Sequence, residues 1–199
     1  MNIAAIILAA GQSQRMGTPK ALLQLNGESF LDTLIRKLQS QCHPVIVVLG
    51  ANAQAIRSAT NGSANFIVNA EYMQGMLTSL QCGLRALPEP CTHTVFTLVD
   101  HPDPAMQTVE AVTHAAPAPV VIPRFERRKG HPVRLSRLII SELLELRPPA
   151  KPTDVLYRHL QSTLFLDLDD PGIVDDVDDP EAYSKLLARY HPVAEAESQ

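Results

Sequence analysis

The sequence predicts one α/β domain, a three-layer sandwich with helices on both faces of a mostly parallel sheet. Short apolar runs rich in β-branched residues alternate with amphipathic segments over most of the 199 residues. Those runs are continuous rather than alternating, as strands buried on both faces are. The composition, 45% hydrophobic and 19% charged, is that of a folded globular chain with enough core to need no staples.

The elements follow in order. Ile3–Ala9, Val45–Leu49, Phe66–Val68, Thr94–Val99 and Val120–Ile122 read as buried strands bounded by turn residues. Between them the 3.6-residue periodicity predicts helices over Phe30–Gln41, Ala53–Thr60, Met76–Leu87 and Pro104–Ala115. Ser29 with Asp32 resembles a capping box, Asn52 is placed to cap the second helix and Asp103 the fourth. After Pro123 the pattern changes. The polar stretch Arg124–Arg134, with Gly130 inside it, reads as a loop or hairpin. Helices return at Arg137–Leu146 and Thr153–Gln161, split by Pro148-Pro149. A strand at Thr163–Leu168 and a helix at Glu181–Tyr190 complete the pattern.

No repeat or long linker divides the chain, so a single domain over 1–192 is expected, followed by a polar tail at 193–199. A formal net charge of −4 argues against a surface built for nucleic acid, though a small polyanion could bind where basic groups and a metal gather. Cys42, Cys82 and Cys91 are odd in number and lack ligand spacing, so reduced, mostly buried thiols are expected. The apolar start is too short for a membrane span and no basic region precedes it, which places the expected compartment in the cytoplasm.

The chemistry concentrates in Leu8-Ala-Ala-Gly-Gln-Ser-Gln-Arg-Met-Gly-Thr-Pro-Lys20. A strand that ends at Ala9 delivers this loop to the carboxyl edge of the sheet, where open α/β sheets bind ligands. Ala10, Gly11 and Gly17 lack bulk, so backbone amides can approach a phosphate, while Ser13 adds a hydroxyl. Arg15 and Lys20 add two cations, the combination a triphosphate needs. An ordinary βα turn with surface cations is the plainer alternative. A Walker loop is excluded, because Lys20 follows Pro19 instead of a glycine at a helix start. A dinucleotide fingerprint is excluded by Ser13, which stands where its second glycine belongs.

This long ordered string resembles the opening motif of nucleotidyltransferases related to molybdenum cofactor cytidylyltransferase. The resemblance implies a Rossmann-like nucleotide-binding topology of the nucleotide-diphospho-sugar transferase kind. It implies that Leu8, Ala9, Ala10, Gly11 and Ser13 lie beside the nucleotide, with Arg15 and Lys20 on its phosphates. Relatives that transfer guanylyl groups tend to read Leu-Ala-Gly-Gly, so Ala10 leans towards CTP.

Asp100 follows the strand ending at Val99 and so emerges near the first loop, where a carboxylate suits Mg²⁺. It could instead cap the next helix. The similar enzymes usually read Asp-Gln-Pro where this chain has Asp100-His101-Pro102; the departure touches a contact to the second substrate or only a turn. Gly172–Tyr183 resembles the family's second acidic segment, which makes Asp176, and next Asp178, the expected metal partners of Asp100. Asp178 and Asp179 could equally cap the helix opening at Pro180.

Asn69–Gly83 resembles the segment beside the second substrate, with Gly75, Met76 and Ser79 as its contacts. Gly130-His131-Pro132 matches a further basic loop assigned there, although a solvated turn would explain it alone. The resemblance implies CMP transfer from CTP to a molybdopterin-type phosphate with release of pyrophosphate, and a recipient molybdoenzyme or its chaperone as partner. Guanylyl or sugar 1-phosphate transfer is the near alternative. A non-catalytic nucleotide-binding delivery protein is the distant one.

Overall fold

The computed structural model of the chain describes residues 2–190. The expected tail at 193–199 lies outside them. In chain order the elements are β1 (Ile3–Ala9), β2 (Gln24–Leu25), β3 (Glu28–Ser29), α1 (Phe30–Gln39), β4 (Val45–Leu49), α2 (Ala53–Ala59), β5 (Asn65–Val68), α3 (Met76–Arg85), β6 (His93–Leu98), α4 (Met106–His114), β7 (Val120–Phe125), β8 (Arg128–Lys129), β9 (Val133–Ser136), α5 (Arg137–Glu145), α6 (Pro152–Arg158), β10 (Thr163–Asp167) and α7 (Pro180–Tyr190).

The main sheet runs β10-β7-β9-β6-β1-β4-β5, with the short β8 paired to β7. The pairs β1–β4, β1–β6, β4–β5 and β7–β10 are parallel, and β9 runs antiparallel between β6 and β7. Period-two side-chain alternation sorts the core into two layers. Ile3, Ala5, Ile7 and Ala9 of β1 face a cluster that takes Phe30, Leu31 and Leu34 from α1, Val109 from α4 and Leu186 from α7. Ile6 and Leu8 face the other cluster, with Leu80 and Leu84 of α3 and Ile139, Ile140 and Leu143 of α5. Each of these buried large aliphatic side chains contributes about 1.5–3 kcal/mol over its exposed state. The expected three layers are present.

Several local expectations are corrected. β5 is a half-exposed edge strand, not a buried one, and β10, the strand expected near Thr163–Leu168, forms the other edge. The polar stretch after Pro123 is a hairpin, one of its two expected forms, turned by Glu126 and Arg127 at φ +48° and +66°; the strand that follows it, β9, is what the sequence did not suggest. Arg134 hides that strand, since a charge between Val133 and Leu135 reads as surface. It is fully buried, and its guanidinium donates to the carbonyls of Thr113, Ala115 and Ala116 at 2.8–2.9 Å. Those carbonyls lie at the C-terminal end of α4, where a cation is favoured.

The caps differ as well. Ser29 caps α1 as expected, its hydroxyl accepting from the Asp32 amide at 3.0 Å. The Asp32 carboxylate, however, accepts from that same hydroxyl at 2.7 Å and not from the Ser29 backbone, so the reciprocal half of the capping box is replaced. Asn52 stands at the N-cap of α2 in a left-handed conformation, with no side-chain capping bond. Asp103 does not cap α4, because its carboxylate is taken by the buried Lys37. Asp170 does so from 65 residues away, accepting from the Ala105 amide at 2.8 Å and the Thr108 hydroxyl at 2.6 Å. The three cysteines are free thiols, with Cys42 and Cys91 buried. No helix among the described residues is long and apolar enough to cross a membrane.

Candidate active site

The carboxyl ends of β1 and β6 open into a cleft of about 600 Å³. Leu8, Ala9, Ala10, Gly11, Ser13, Arg15 and Lys20 line it from the first loop, Gly75, Met76 and Ser79 from the start of α3, and Asp100 and Asp178 from beside Lys20. These residues are scattered in sequence, and register places them together: Leu8 pairs with Leu98 across parallel strands that both end here.

Local geometry holds the loop open. Ala10 is buried, and its carbonyl accepts from the Ala51 amide at 3.2 Å. A side chain on Gly11 would meet nothing within 4 Å, so the backbone there faces free space. Ser13 turns the chain at φ +51°, its hydroxyl accepting from the Lys20 amide at 3.1 Å. On the opposite wall Gly75, at φ +106°, begins α3. Asn69 Nδ2 donates to the hydroxyls of Thr78 and Ser79, both at 3.0 Å, and ties the first turn of that helix to the end of β5.

Charge gathers around Lys20. Its ammonium is buried and donates to Asp100 Oδ2 at 3.1 Å and to Asp178 Oδ1, while Arg15 reaches Asp178 Oδ2 at 2.6 Å. Burial works against the charged Lys20 as the largest single effect, yet the bonds and charges of the two carboxylates together outweigh it and raise its pKa. The hydrogen bond from Lys20 lowers that of Asp178.

The acidic segment resolves into separate roles. Asp175 pairs with Arg189 of α7, Asp178 with Lys20 and Arg15, and Asp179 caps α7 by accepting from the Ala182 amide at 2.8 Å. Asp176 has none of these partners. Burial first, then the charges of Asp100 and Asp178, raise its pKa. The Val177 amide donates to the Asp100 carbonyl at 2.9 Å, which docks the segment against the end of β6.

Asp100, His101 and Asp176 each bring one ligand atom into a group spanning less than 4.8 Å. Asp100 Oδ1 is buried without a hydrogen-bond partner among the described residues. Two mutually repelling carboxylates and an orphaned acceptor fit a divalent cation. Sequence reasoning put Asp176 and Asp178 in one role, and the fold separates them. It read His101 as a contact to the second substrate or part of a turn, and the fold places its ring beside Asp100 and Asp176.

Gly130, His131 and Pro132 do not line the cleft, and neither do His101 and Asp176, which sit beside Asp100 at its margin. A Cβ on Gly130 would lie 2.4 Å from the Ile173 carbonyl, and the His131 amide donates to that same carbonyl at 2.9 Å. His131 stacks between Phe96 and His101, at ring-centroid distances of 5.3 and 4.8 Å, and burial pushes its pKa down to about 3. The three residues back the acidic segment from behind. Tyr72 and Met73, which sequence reasoning passed over, form an apolar lip in the turn before Gly75. Two large apolar residues in a turn were the available clue.

With this geometry in place, the comparison with known proteins decides the family. A family model described as the MobA-like NTP transferase domain matches residues 5–163. The chain belongs to this family. It is 34% identical over 143 residues to a Paenarthrobacter nicotinovorans protein named nicotine blue oxidoreductase, covering 66% of this chain and 69% of that one. It is 26% identical over 188 residues to the molybdenum cofactor cytidylyltransferase of Escherichia coli K12, covering 93% and 95%. Identity is 30% over 151 residues to a probable molybdenum cofactor guanylyltransferase of Mycobacterium avium, covering 73% and 74%. The crystal structure of the protein Rv0371c from Mycobacterium tuberculosis superposes with a TM-score of 0.81 at 27% identity, covering 94% and 98%. A manganese complex of that protein gives a TM-score of 0.77 at 25% identity, with the same coverage. As a MobA-like domain, the chain is a nucleotidyltransferase by family and has that fold.

Proposed function

We propose that this MobA-like domain, taken as residues 1–192, transfers a nucleotidyl group, CMP from CTP in preference to GMP from GTP, to the terminal phosphate of a molybdopterin-type acceptor. The observation that carries this reading is Lys20, held between Asp100 and Asp178 in a cleft walled by the loop after β1. A fixed cation beside carboxylates and open backbone amides suits a triphosphate that must meet a metal.

In the step itself an acceptor phosphate oxygen attacks the α-phosphorus, the bond to the β-phosphate breaks, and pyrophosphate leaves with that electron pair. The attacking phosphate is already ionised, so no protein base is needed. Arg15 and Lys20 give up Asp178 for the phosphates as substrate enters, and hold the departing pyrophosphate. The amides of the 10–13 loop position the triphosphate, and the N-terminal turn of α3 at Gly75–Ser79 positions the acceptor. Asp100 and Asp176, with His101 beside them, would hold the divalent cation, for which Mg²⁺ is the ordinary choice at oxygen sites. When bound, the cation supplies neutralisation of charge on the reacting phosphate. A recipient molybdoenzyme or its chaperone would take the product.

Pyrophosphate release tests the reading, measured with CTP and with GTP, each with and without molybdopterin. Release that requires both CTP and molybdopterin supports it. Asp100→Asn should lose about 10²-fold or more in turnover while keeping its fold, the scale of losing a group that stabilises developing charge. The relative named an oxidoreductase motivates one control: consumption of a reduced nicotinamide cofactor without pyrophosphate release would overturn the proposal.

A further inference from the structure

We propose that His101 is a third ligand of a metal held with Asp100 and Asp176 at the margin of the cleft, and that its ring nitrogen biases the site towards Mn²⁺ over Mg²⁺. The inference rests on reading the cleft as a metal-assisted triphosphate site, and it adds a nitrogen to a ligand set otherwise made of carboxylates.

Three independent features converge on this residue. One ring nitrogen of His101 lies with single oxygens of Asp100 and Asp176 inside a group less than 4.8 Å across. Ligands about 2.0–2.2 Å from a shared small cation stand at most roughly 4.4 Å apart, so a few tenths of an ångström of closure suffices. The backbone sets the three close together. The His101 amide donates to the Leu98 carbonyl at 3.1 Å in the turn after β6, and the Val177 amide docks on the Asp100 carbonyl at 2.9 Å.

Unmet hydrogen-bonding capacity is the second feature. Asp100 Oδ1 and His101 Nδ1 are both buried without a hydrogen-bond partner among the described residues. Such atoms are costly to leave unpaired, and a cation between the side chains removes that cost for any atom it engages. Thirdly, the imidazole is braced. His131 packs on it at 4.8 Å, Phe96 packs on His131 edge-on at 5.3 Å, and the Gly130 backbone closes against Ile173. A ring supported from behind gives up little freedom on binding a metal. Lys20 shares itself between Asp100 and Asp178, and Asp176 has no ion-pair partner among the described residues.

Ligand chemistry then sets the preference. Carboxylates and water suit Mg²⁺ and Mn²⁺ alike, so the carboxylates do not discriminate. An imidazole nitrogen adds more to the binding of Mn²⁺, the first of the transition series at mixed nitrogen and oxygen sites, than to that of Mg²⁺. Glutamine, usual at this position in the resembling enzymes, would offer a neutral amide oxygen and no such bias.

Pulsed electron paramagnetic resonance of Mn²⁺ tests this on the full-length chain, first with Mn²⁺ alone and then with Mn²⁺ and CTP. The expected spectrum carries coupling to a directly bonded ¹⁴N, which changes to the ¹⁵N pattern in protein labelled with [¹⁵N]histidine and so excludes nitrogen from the nucleotide. In His101→Gln the coupling disappears. Mn²⁺ affinity then falls by about tenfold or more, on the scale of lost metal-site partners, and Mg²⁺ affinity falls less. Bound Mn²⁺ without histidine coupling overturns the proposal, as does coupling that survives in His101→Gln or failure to bind Mn²⁺ in both conditions. Histidine coupling without pyrophosphate release would leave this metal site standing and refute only the transfer reaction.

Discussion

Replacing Lys20 with Met removes the cation between Asp100 and Asp178 at nearly constant volume, and the structure sets the scale of the loss. At the observed 3.1 Å from Asp100, each unit-charge attraction is about 5 kcal/mol at an effective dielectric of roughly 20. Most of that is already offset, because the Lys20 side chain is only 10% exposed and was desolvated to reach this position. Asp178, 37% exposed, is screened by water. Removing one partner of a buried pair costs about 3–5 kcal/mol and an exposed pair about 0–1 kcal/mol, so this half-buried triad should lose about 2 kcal/mol. For a chain of this size that is a fall in Tm of about 4–8 °C, read by calorimetry or thermal circular dichroism. Turnover should fall further, about 10²–10³-fold, if Lys20 stabilises charge on the leaving pyrophosphate. The two readouts separate the two roles. An unchanged or higher Tm would refute the claim that Lys20 holds the carboxylates together. Wild-type pyrophosphate release would refute its place on the phosphates.

Three further outcomes follow from packing. Gly130→Ala places a carbon 2.4 Å from the Ile173 carbonyl and must push the acidic segment outward. A loss of about 1–3 kcal/mol in urea unfolding is expected, together with reduced turnover, and an unaffected variant would show that the close approach is not required. Arg134→Leu strands three carbonyls at the end of α4, at about 1–3 kcal/mol for each left unpaired. Partly offset because a guanidinium is no longer buried, the loss should be about 3–5 kcal/mol by the same measurement; a change below about 1 kcal/mol would assign Arg134 no more than a surface role. Burial pushes the Cys42 thiol up to about 11, so at pH 8 it should resist a disulfide-exchange reagent, with all three cysteines reacting after unfolding. Rapid labelling of Cys42 in the native protein, located by mass spectrometry, would contradict its burial.

Much of the fold was legible because the relevant forces are local. The apolar runs at 3–9, 45–49 and 94–99 each declare a buried strand through their own side chains, and Ser29 caps α1 with a partner three residues away. The loop from Leu8 to Lys20 was readable for the same reason, since strand end, small residues and cations lie within one turn of chain. β9 was not, because the side chain that conceals it, Arg134, is explained only by carbonyls 18 to 21 residues upstream. Asp103 looked like a cap because it is adjacent to the helix, but the electrostatics of the buried Lys37 claim it.

The sequence by itself therefore determined the layer architecture, the loop that opens the cleft and the presence of acidic groups near its end. Those follow from periodicity and from chemistry carried by neighbouring residues. Only the tertiary structure decided which carboxylate does what. Asp100 and Asp178 meet at Lys20 from 80 and 158 residues away. Asp176, two positions from Asp178, instead turns towards Asp100 and His101. Asp176 and Asp178 look alike in sequence, and regular extended backbone would put residues two apart on one face. The tertiary contact of the Val177 amide with the Asp100 carbonyl docks the segment between them, and that docking assigns their partners.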